Sequence, residues 1–520
     1  MFGQRDVTDR VFRSIRRPQA PPNPPYAGAP VVVLANRAPF RHERGTDGRV
    51  SVHRSGSGLV TAVEPLVKAC SGVWVAHAAG NADVNGVDDR GRRNVPPANP
   101  AYRLRYVSVT GDEHRGYYYG FANEGLWPLC HHVHVQPIFR TRDFHDYRVV
   151  NRRFAAAVCD EITGDAPVVF INDYHFALVP RMIRHHRPRN TIVAFWHIPW
   201  PHRQILRICP WRRELLEGLL GADIIGFQTP EDCTNFLETV EAMFDCDVDP
   251  ERSVVTHDGH TTLVRAYPVG VEWDNPVVST APPIDVCRDR VRRDLGVDSH
   301  VQLGVGIDRL DYTKGIDEKF LAIERLLETH TEFTGRFVFV QVAEPSRECL
   351  PAYEAARRQL LRTSERVNQR FGSEGYRPIV LLERHHDPTE VHRLYRAADL
   401  CYVNSLHDGM NLVAKEFARA RDDDRGVLVL SQFTGASRQL TAALSVSPYA
   451  PDESARTLAR ALRMPCSEQT ARMRQMRNVV AEFDSHWWAR RILEDATALS
   501  DASDTNMAAD GAVAKSQLPA

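Results

Sequence analysis

Short, continuously apolar runs recur along the chain. Each is closed by polar residues and followed by a stretch with helical spacing. The first set is VVVLAN (31–36), GVWVAH (72–77), PVVFIND (167–173), TIVAFWHIP (191–199), DIIGFQT (223–229) and LVRAYPVGV (263–271). The second is QLGVGID (302–308), RFVFVQVA (336–343), PIVLLER (378–384), LCYVNS (400–405) and VLVLSQF (427–433). Runs without polar alternation mark parallel strands buried on both faces, with helices between them as cover. Two sets predict an α/β chain of two doubly wound, Rossmann-like domains. The boundary is expected at about 272–292, where DNPVVSTAPPIDV is Pro-rich and has no period.

In open α/β sheets, ligands bind beyond the carboxyl ends of the strands. The polar residues that end the runs are therefore the candidates. They are Asn36 and Arg37, His77, Asn172 and Asp173, His197, Asp308 and Arg309, Glu344, and Asn404 to Asp408. Both domains offer such ends, which suits a cleft enzyme that joins two substrates.

Composition narrows the class. A chain of 520 residues exceeds one ordinary core. Apolar content of 43% and charged content of 25% are globular values. A net charge of −1 gives no bulk attraction to nucleic acid or anionic lipid, so an anionic substrate needs local arginines. The ten cysteines form no CxxC pair and read as small buried hydrophobes in a reducing compartment, with the cytoplasm expected. No apolar stretch reaches the roughly 18 residues of a membrane span. Residues 19–29 read as a Pro-rich leader and 500–520 as a small, polar, disordered tail. The only lysines are Lys68, Lys314, Lys319, Lys415 and Lys515, of which Lys319 and Lys515 read as solvated.

Several stretches carry candidate chemistry. GIDRLDYTKG (306–315) follows a strand and opens a helix, so Arg309 and Lys314 can reach a diphosphate at a helix N-terminus. The plain alternative is a surface ion pair with Asp308 or Asp311. RSGSGL (54–59) is a small-residue turn whose backbone N–H groups suit phosphate, although a plain loop reads equally well. Asp173 and His197 can grip sugar hydroxyls or stabilise charge. Alternatively, Asp173 caps the next helix and His197 is a core histidine. In GYYYGFANEGLWP (116–128), Tyr118 can offer its hydroxyl to phosphate among rings that are mostly core. In NSLHDGMNLVAKEF (404–417), a helix starting near 410 turns its first N–H groups into the cleft. Asp408 then meets a sugar and Glu416 a ribose. Otherwise Asp408 is an N-cap, and Lys415 and Glu416 are a solvated face. There is no GxSxG, HExxH, P-loop or metal-spaced Cys/His set.

At these residues the chain resembles the trehalose-6-phosphate synthases, retaining glycosyltransferases of family 20 with the two-domain GT-B fold. The resemblance runs from about 31 to 490. It is carried by LANR, GLWP, DYHF, HIPWP, GADIIGFQT, YPVGVE, DRLDYTKG, PSR, DGMNLVAKE and VLVLSQFTGA. It implies transfer of glucose from UDP- or GDP-glucose to glucose 6-phosphate, giving α,α-trehalose 6-phosphate without cofactor or metal. It also implies an acceptor domain over 30–275 and a nucleotide-sugar domain over 276–480. A helix over 481–499 then crosses back, and homo-oligomers are compatible with the pattern. Arg37, Tyr118, Tyr174 and Arg347 match the grip on the acceptor phosphate, and Trp127 and Asp173 match the acceptor-sugar contacts. Gly58, Arg309 and Lys314 match the diphosphate site. His197, Asp408, Gly409, Met410 and Asn411 match the donor-glucose site. Leu412 and Val413 match backbone contacts near the diphosphate and ribose, and Glu416 matches the ribose ligand. The implied mechanism is front-face attack with no protein nucleophile, in which the leaving phosphate takes the proton. The pattern departs from the family at Ser57, His77, Asn172 and His407, which leaves the sugar and the acceptor open. The alternatives are a related glycosyl- or pseudo-glycosyltransferase with another sugar-phosphate or cyclitol acceptor, and a non-catalytic sugar-phosphate sensor.

Overall fold

The computed structural model describes residues 31–516 except 55–59, 61–62, 65–66, 69, 98 and 164–166, with backbone alone over 501–516. Two parallel sheets dominate it. In the first, the parallel strands lie in the order His260–Ala266, Ile224–Phe227, Ile192–Phe195, Val168–Asn172, Val31–Ala35, Val73–His77 and Tyr102–Val107. Antiparallel strands flank both edges, Asp247–Asp249 and Val254–His257 on one side and Arg92–Val95 on the other. The second sheet is wholly parallel: Ile379–Leu382, Phe337–Glu344, Gln302–Arg309, Leu400–Val403, Val427–Ser431 and Leu444–Val446. The central strands are apolar on both faces and buried throughout, as VVVLA and VLVLS illustrate. A strand of that composition is stable only between two layers of helices.

In each sheet the chain winds outward from a central strand, returns, and winds the other way. The order therefore reverses between Val31–Ala35 and Val168–Asn172 in the first sheet, and between Gln302–Arg309 and Leu400–Val403 in the second. A crevice forms at such reversals because the neighbouring connections leave on opposite faces. Arg37 and Asp173 follow the first pair of strands, and Arg309 and Asp408 lie at the ends of the second.

After the second sheet, a helix spanning Ser485–Ser516 returns to the first domain. Trp488 packs edge-on against Phe170 and Phe195, with ring centroids 5.8 and 5.2 Å away, and its indole N–H donates to the Tyr267 carbonyl at 3.1 Å. The helix continues into the stretch read as a tail, whose alanines favour that conformation. The leader before 31 lies outside the described residues. Lys319 is not the solvated residue that its sequence context suggested. It is fully buried, bonded to Asp308 and, at 3.3 Å, to the Gln341 amide oxygen. Helical spacing alone made it look solvated, but its stem runs under the sheet to a carboxylate that needs a counter-charge.

Candidate active site

Asp173 follows the strand Val168–Asn172 with φ 74°, a value unusual for a non-glycine residue. Its N–H donates to the Phe195 carbonyl at 2.7 Å, which holds the turn. Its Oδ1 accepts the N–H groups of Tyr174 (3.0 Å) and His197 (3.2 Å). Burial raises the carboxyl pKa to about 6, against the opposing pull of those N–H groups and of Arg347 and Arg309. Asp173 thus caps the short turn that follows, as one of its sequence readings expects, and lies at the sheet reversal. His197, just beyond the adjacent strand, is half-buried, and desolvation of its ring brings its pKa down to about 3. It is bonded to Asn172 at 2.8 Å and to Gln228 at 3.2 Å.

Residues Arg115–Leu126 form a π-helix, a widened winding that occurs mostly where a side chain must be re-aimed. Tyr117 and Phe121 go into the core. Tyr118 instead lies between the rings of His114 (4.9 Å, 13° between planes) and His175 (5.5 Å, 11°). Burial works against ionisation of its hydroxyl. Arg347, Arg37 and Arg309 outweigh that effect and bring the pKa down to about 8. A phenol sensitive to three guanidinium groups marks a convergent positive pocket.

The second domain supplies the other wall. The strand Gln302–Arg309 ends at Arg309, and a tight turn over Tyr312–Lys314 leads through Gly315 into the helix Ile316–Thr329. Lys314 Nζ lies 2.5 Å from Asp408 Oδ2, which also accepts from Asn411 Nδ2 (3.2 Å) and Ser405 Oγ (3.3 Å). Burial alone raises the Asp408 pKa, but Lys314 and the Asn411 amide reverse that and hold it below the ordinary carboxylate value. The partner of Lys314 is therefore Asp408, not Asp308 or Asp311. Asp311 is buried and accepts from Arg347 at 3.4 Å while capping the turn at Thr313 N–H, 3.1 Å away. One carboxylate thus ties the lysine-bearing turn to an arginine on the far side of the pocket.

The DGMN segment differs from its expectation. The helix starts at Leu412, two residues later than expected, because Asn411 takes a left-handed φ of 85° and caps the Ala414 N–H at 3.1 Å. Asparagine tolerates that conformation better than most residues. Met410 is buried in the seam between the domains. Leu412 and Val413 open the helix, half-buried. Glu416 accepts the Tyr395 hydroxyl at 3.0 Å, and burial raises its pKa. Lys415 points away from the pocket, and its ammonium donates to the Val269 carbonyl of the first domain at 2.6 Å.

The two walls touch. Arg347, itself at φ 50°, lies 4.2 Å over the Trp127 ring and donates to the Tyr174 hydroxyl at 3.4 Å. Arg309 lies over the same ring at 5.5 Å. His407 Nδ1 donates to the His131 carbonyl at 2.9 Å. Gly409 meets the backbone of His197 so closely that a Cβ there would stand 2.3 Å from the His197 carbonyl oxygen. Around the crevice Arg309 and Arg347 act on both Asp173 and Asp311, Lys314 pairs with Asp408, and Arg37 acts on Tyr118. Such a site can hold two anionic groups and offer carboxylates to hydroxyls between them.

The structure brings together Arg37, Tyr118, Trp127, Asp173, Tyr174, His197, Arg309, Arg347, Lys314 and Asp408 to Asn411. Glu416 lies a little further along, and Gly58 lies outside the described residues. Glu344 instead pairs with His385 at an exposed edge, 2.7 Å apart. Sequence reasoning missed Gln228, Tyr353 and His114. The strand-end rule extends to Gln228, which follows Ile224–Phe227 directly. No local signal marks Tyr353, whose hydroxyl bonds Arg347 from the helix Pro351–Phe371. Among the described residues, no group of three or more His, Cys, Asp or Glu is arranged to hold a metal, and no helix is long and apolar enough to cross a membrane.

Two doubly wound domains meeting at a crevice lined with arginines are the GT-B fold of glycosyltransferases. The chain belongs to glycosyltransferase family 20, whose model matches residues 29–498. It is 37% identical to a Mycobacterium avium trehalose-6-phosphate synthase over 479 residues, 90% of this chain and 95% of that one. An E. coli structure bound with UDP-2-fluoro glucose is similar at 30% identity and a TM-score of 0.80, covering 90% of this chain and 99% of that one. A Burkholderia xenovorans α,α-trehalose-phosphate synthase (UDP-forming), in complex with glucose-6-phosphate, matches at 31% identity and a TM-score of 0.79. That match covers 90% of this chain and all of the other.

Proposed function

We propose that this protein transfers glucose, with retention, from a nucleotide diphosphate glucose to glucose 6-phosphate, giving α,α-trehalose 6-phosphate. The observation that carries the reading is the pair of cation clusters along the crevice. Arg37, Arg347 and Tyr118 offer a compact nest for a phosphate monoester. Arg309 and Lys314, beside the DGMN turn, offer charge for a diphosphate. The relatives with UDP-2-fluoro glucose and with glucose-6-phosphate bound support the same assignment.

In this reading Arg309 and Lys314 stabilise the charge that develops on the departing diphosphate, the largest kind of contribution an active site can make. Asp408, kept ionised by Lys314, accepts donor-sugar hydroxyls. Asp173 accepts from the acceptor sugar, with Trp127 packed beside it. The donor and acceptor oxygens lie on one face of the reacting carbon. The acceptor hydroxyl attacks as the diphosphate leaves, and a leaving phosphate oxygen takes the proton. Neither carboxylate serves as a nucleophile in this reading, since each is given to binding sugar hydroxyls and already accepts protein hydrogen bonds. Identification by mass of the product from a panel of nucleotide sugars with glucose 6-phosphate tests the reading. A disaccharide monophosphate is expected, and its absence with every donor removes the assignment.

A further inference from the structure

We propose that Gln228 is a positioning residue that fixes His197 as the neutral imidazole with its proton on Nε2. It does so through a relay that begins at the Val269 N–H and ends at the Asn172 carbonyl. Only the placing of His197 on the donor side rests on the function proposed above. The relay itself rests on geometry.

Its direction follows from one fixed donor. A backbone N–H only donates, and Val269 N–H points at the Gln228 side chain, 3.0 Å from Oε1. That atom must therefore be the oxygen, which turns the Gln228 amide nitrogen toward His197. Gln228 Nε2 lies 3.2 Å from His197 Nδ1, so Nδ1 has to accept and carries no proton. A neutral imidazole then carries its proton on Nε2, which lies 2.8 Å from Asn172 Oδ1. Asn172 is consistent with this sense. It offers its oxygen to the ring, the acceptor that an Nε2–H requires. Reversing any one amide would set two donors against each other or strand the Val269 N–H. Burial disfavours the charged ring, in keeping with the same state.

The consequence is chemical. His197 enters the transfer as the donor of a single hydrogen bond and not as a base, because its one lone pair is already occupied by Gln228. A sugar hydroxyl that engages the ring must do so through the Nε2–H now shared with Asn172. Asn172 and the sugar thus compete for one proton, which makes Asn172 part of how tightly the donor hydroxyl is held.

Neutron diffraction from deuterium-exchanged crystals of the full chain reads the proton directly. The expected map has a deuteron on His197 Nε2 and none on Nδ1. Gln228→Glu keeps an acceptor for the Val269 N–H but places an oxygen against Nδ1. It should place a deuteron on Nδ1 and lower kcat by at least ~10-fold, the value of about one hydrogen bond. A wild-type deuteron on Nδ1 overturns the relay, as does a Gln228→Glu protein that folds yet carries no deuteron on Nδ1 and keeps kcat unchanged. If that variant fails to fold, the wild-type map decides alone. A deuteron on Nε2 in a protein that forms no disaccharide phosphate sustains the relay and removes the proposed function. A deuteron on Nδ1 in an active enzyme does the reverse.

Discussion

Lys314 and Asp408 meet at the sheet reversal of the second domain, with Nζ 2.5 Å from Oδ2. They lie 94 residues apart in sequence, and both are largely buried. The pair does two things at once. It holds a carboxylate ionised next to the crevice, and it keeps an ammonium in place before any diphosphate arrives.

Removing the cations should therefore cost turnover. Arg309→Ala and Lys314→Ala are each expected to lower kcat by at least ~100-fold, about 3 kcal/mol of transition-state stabilisation. Lys314→Ala also leaves Asp408 unpaired, so the Asp408 pKa should rise. Steady-state kinetics on folded protein check both variants. Near-normal turnover in either would remove the diphosphate assignment.

In the proposed function Arg347 serves the other substrate. Arg347→Ala should raise KM for glucose 6-phosphate by ~10-fold or more while changing the nucleotide-sugar KM little, because a charge-assisted bond to the acceptor phosphate is lost. Varying each substrate in turn separates the two. A raised donor KM with an unchanged acceptor KM would place Arg347 on the donor side.

Gly409 controls how closely the domains meet. A methyl group there would overlap the His197 carbonyl, so Gly409→Ala should wedge the crevice open. Misplacement of about 1 Å can cost ~100-fold in rate, and a loss of that order is expected without loss of either domain's fold. Circular dichroism with single-turnover kinetics checks this. Full activity would mean that the contact is not part of the productive state.

Much of this arrangement is legible in the sequence, because apolar runs and their polar ends report strands and crevice directly. VVVLAN and LCYVNS led to Arg37 and Asp408 by that route. Tyr102–Val107 escaped it, since YRLRYV alternates like a half-exposed strand although it pairs in parallel near the sheet edge. So did the hairpin of Phe40–Arg44 with Val50–Arg54, whose second strand is wholly exposed. Contacts made only by tertiary pairing were not readable. Lys319 finds Asp308 and Gln341 because neighbouring strands bring Asp308 and Gln341 under one helix. Asp311 reaches Arg347 and Tyr353 only once the second sheet has closed.

Asp173 carries a stability cost tied to pH. Its folded pKa of about 6 lies above the ordinary 3.8. A raised carboxyl stabilises the fold while it is protonated, and that contribution is lost as pH rises from about 4 through 6. Asp173→Asn is always neutral and should be more stable than the wild type at pH 7, by on the order of 3 kcal/mol. The gap should close toward pH 4, and activity should be lost throughout. Urea denaturation at the two pH values checks the sign. A variant less stable at pH 7 would contradict it.

The most direct test is the stereochemistry of the product formed from UDP-glucose or GDP-glucose with glucose 6-phosphate, read by NMR at both anomeric carbons. The account predicts α,α-trehalose 6-phosphate, with α configuration at both centres. A β configuration at the donor-derived carbon, or product formed only when a cyclitol replaces the sugar phosphate, would contradict it.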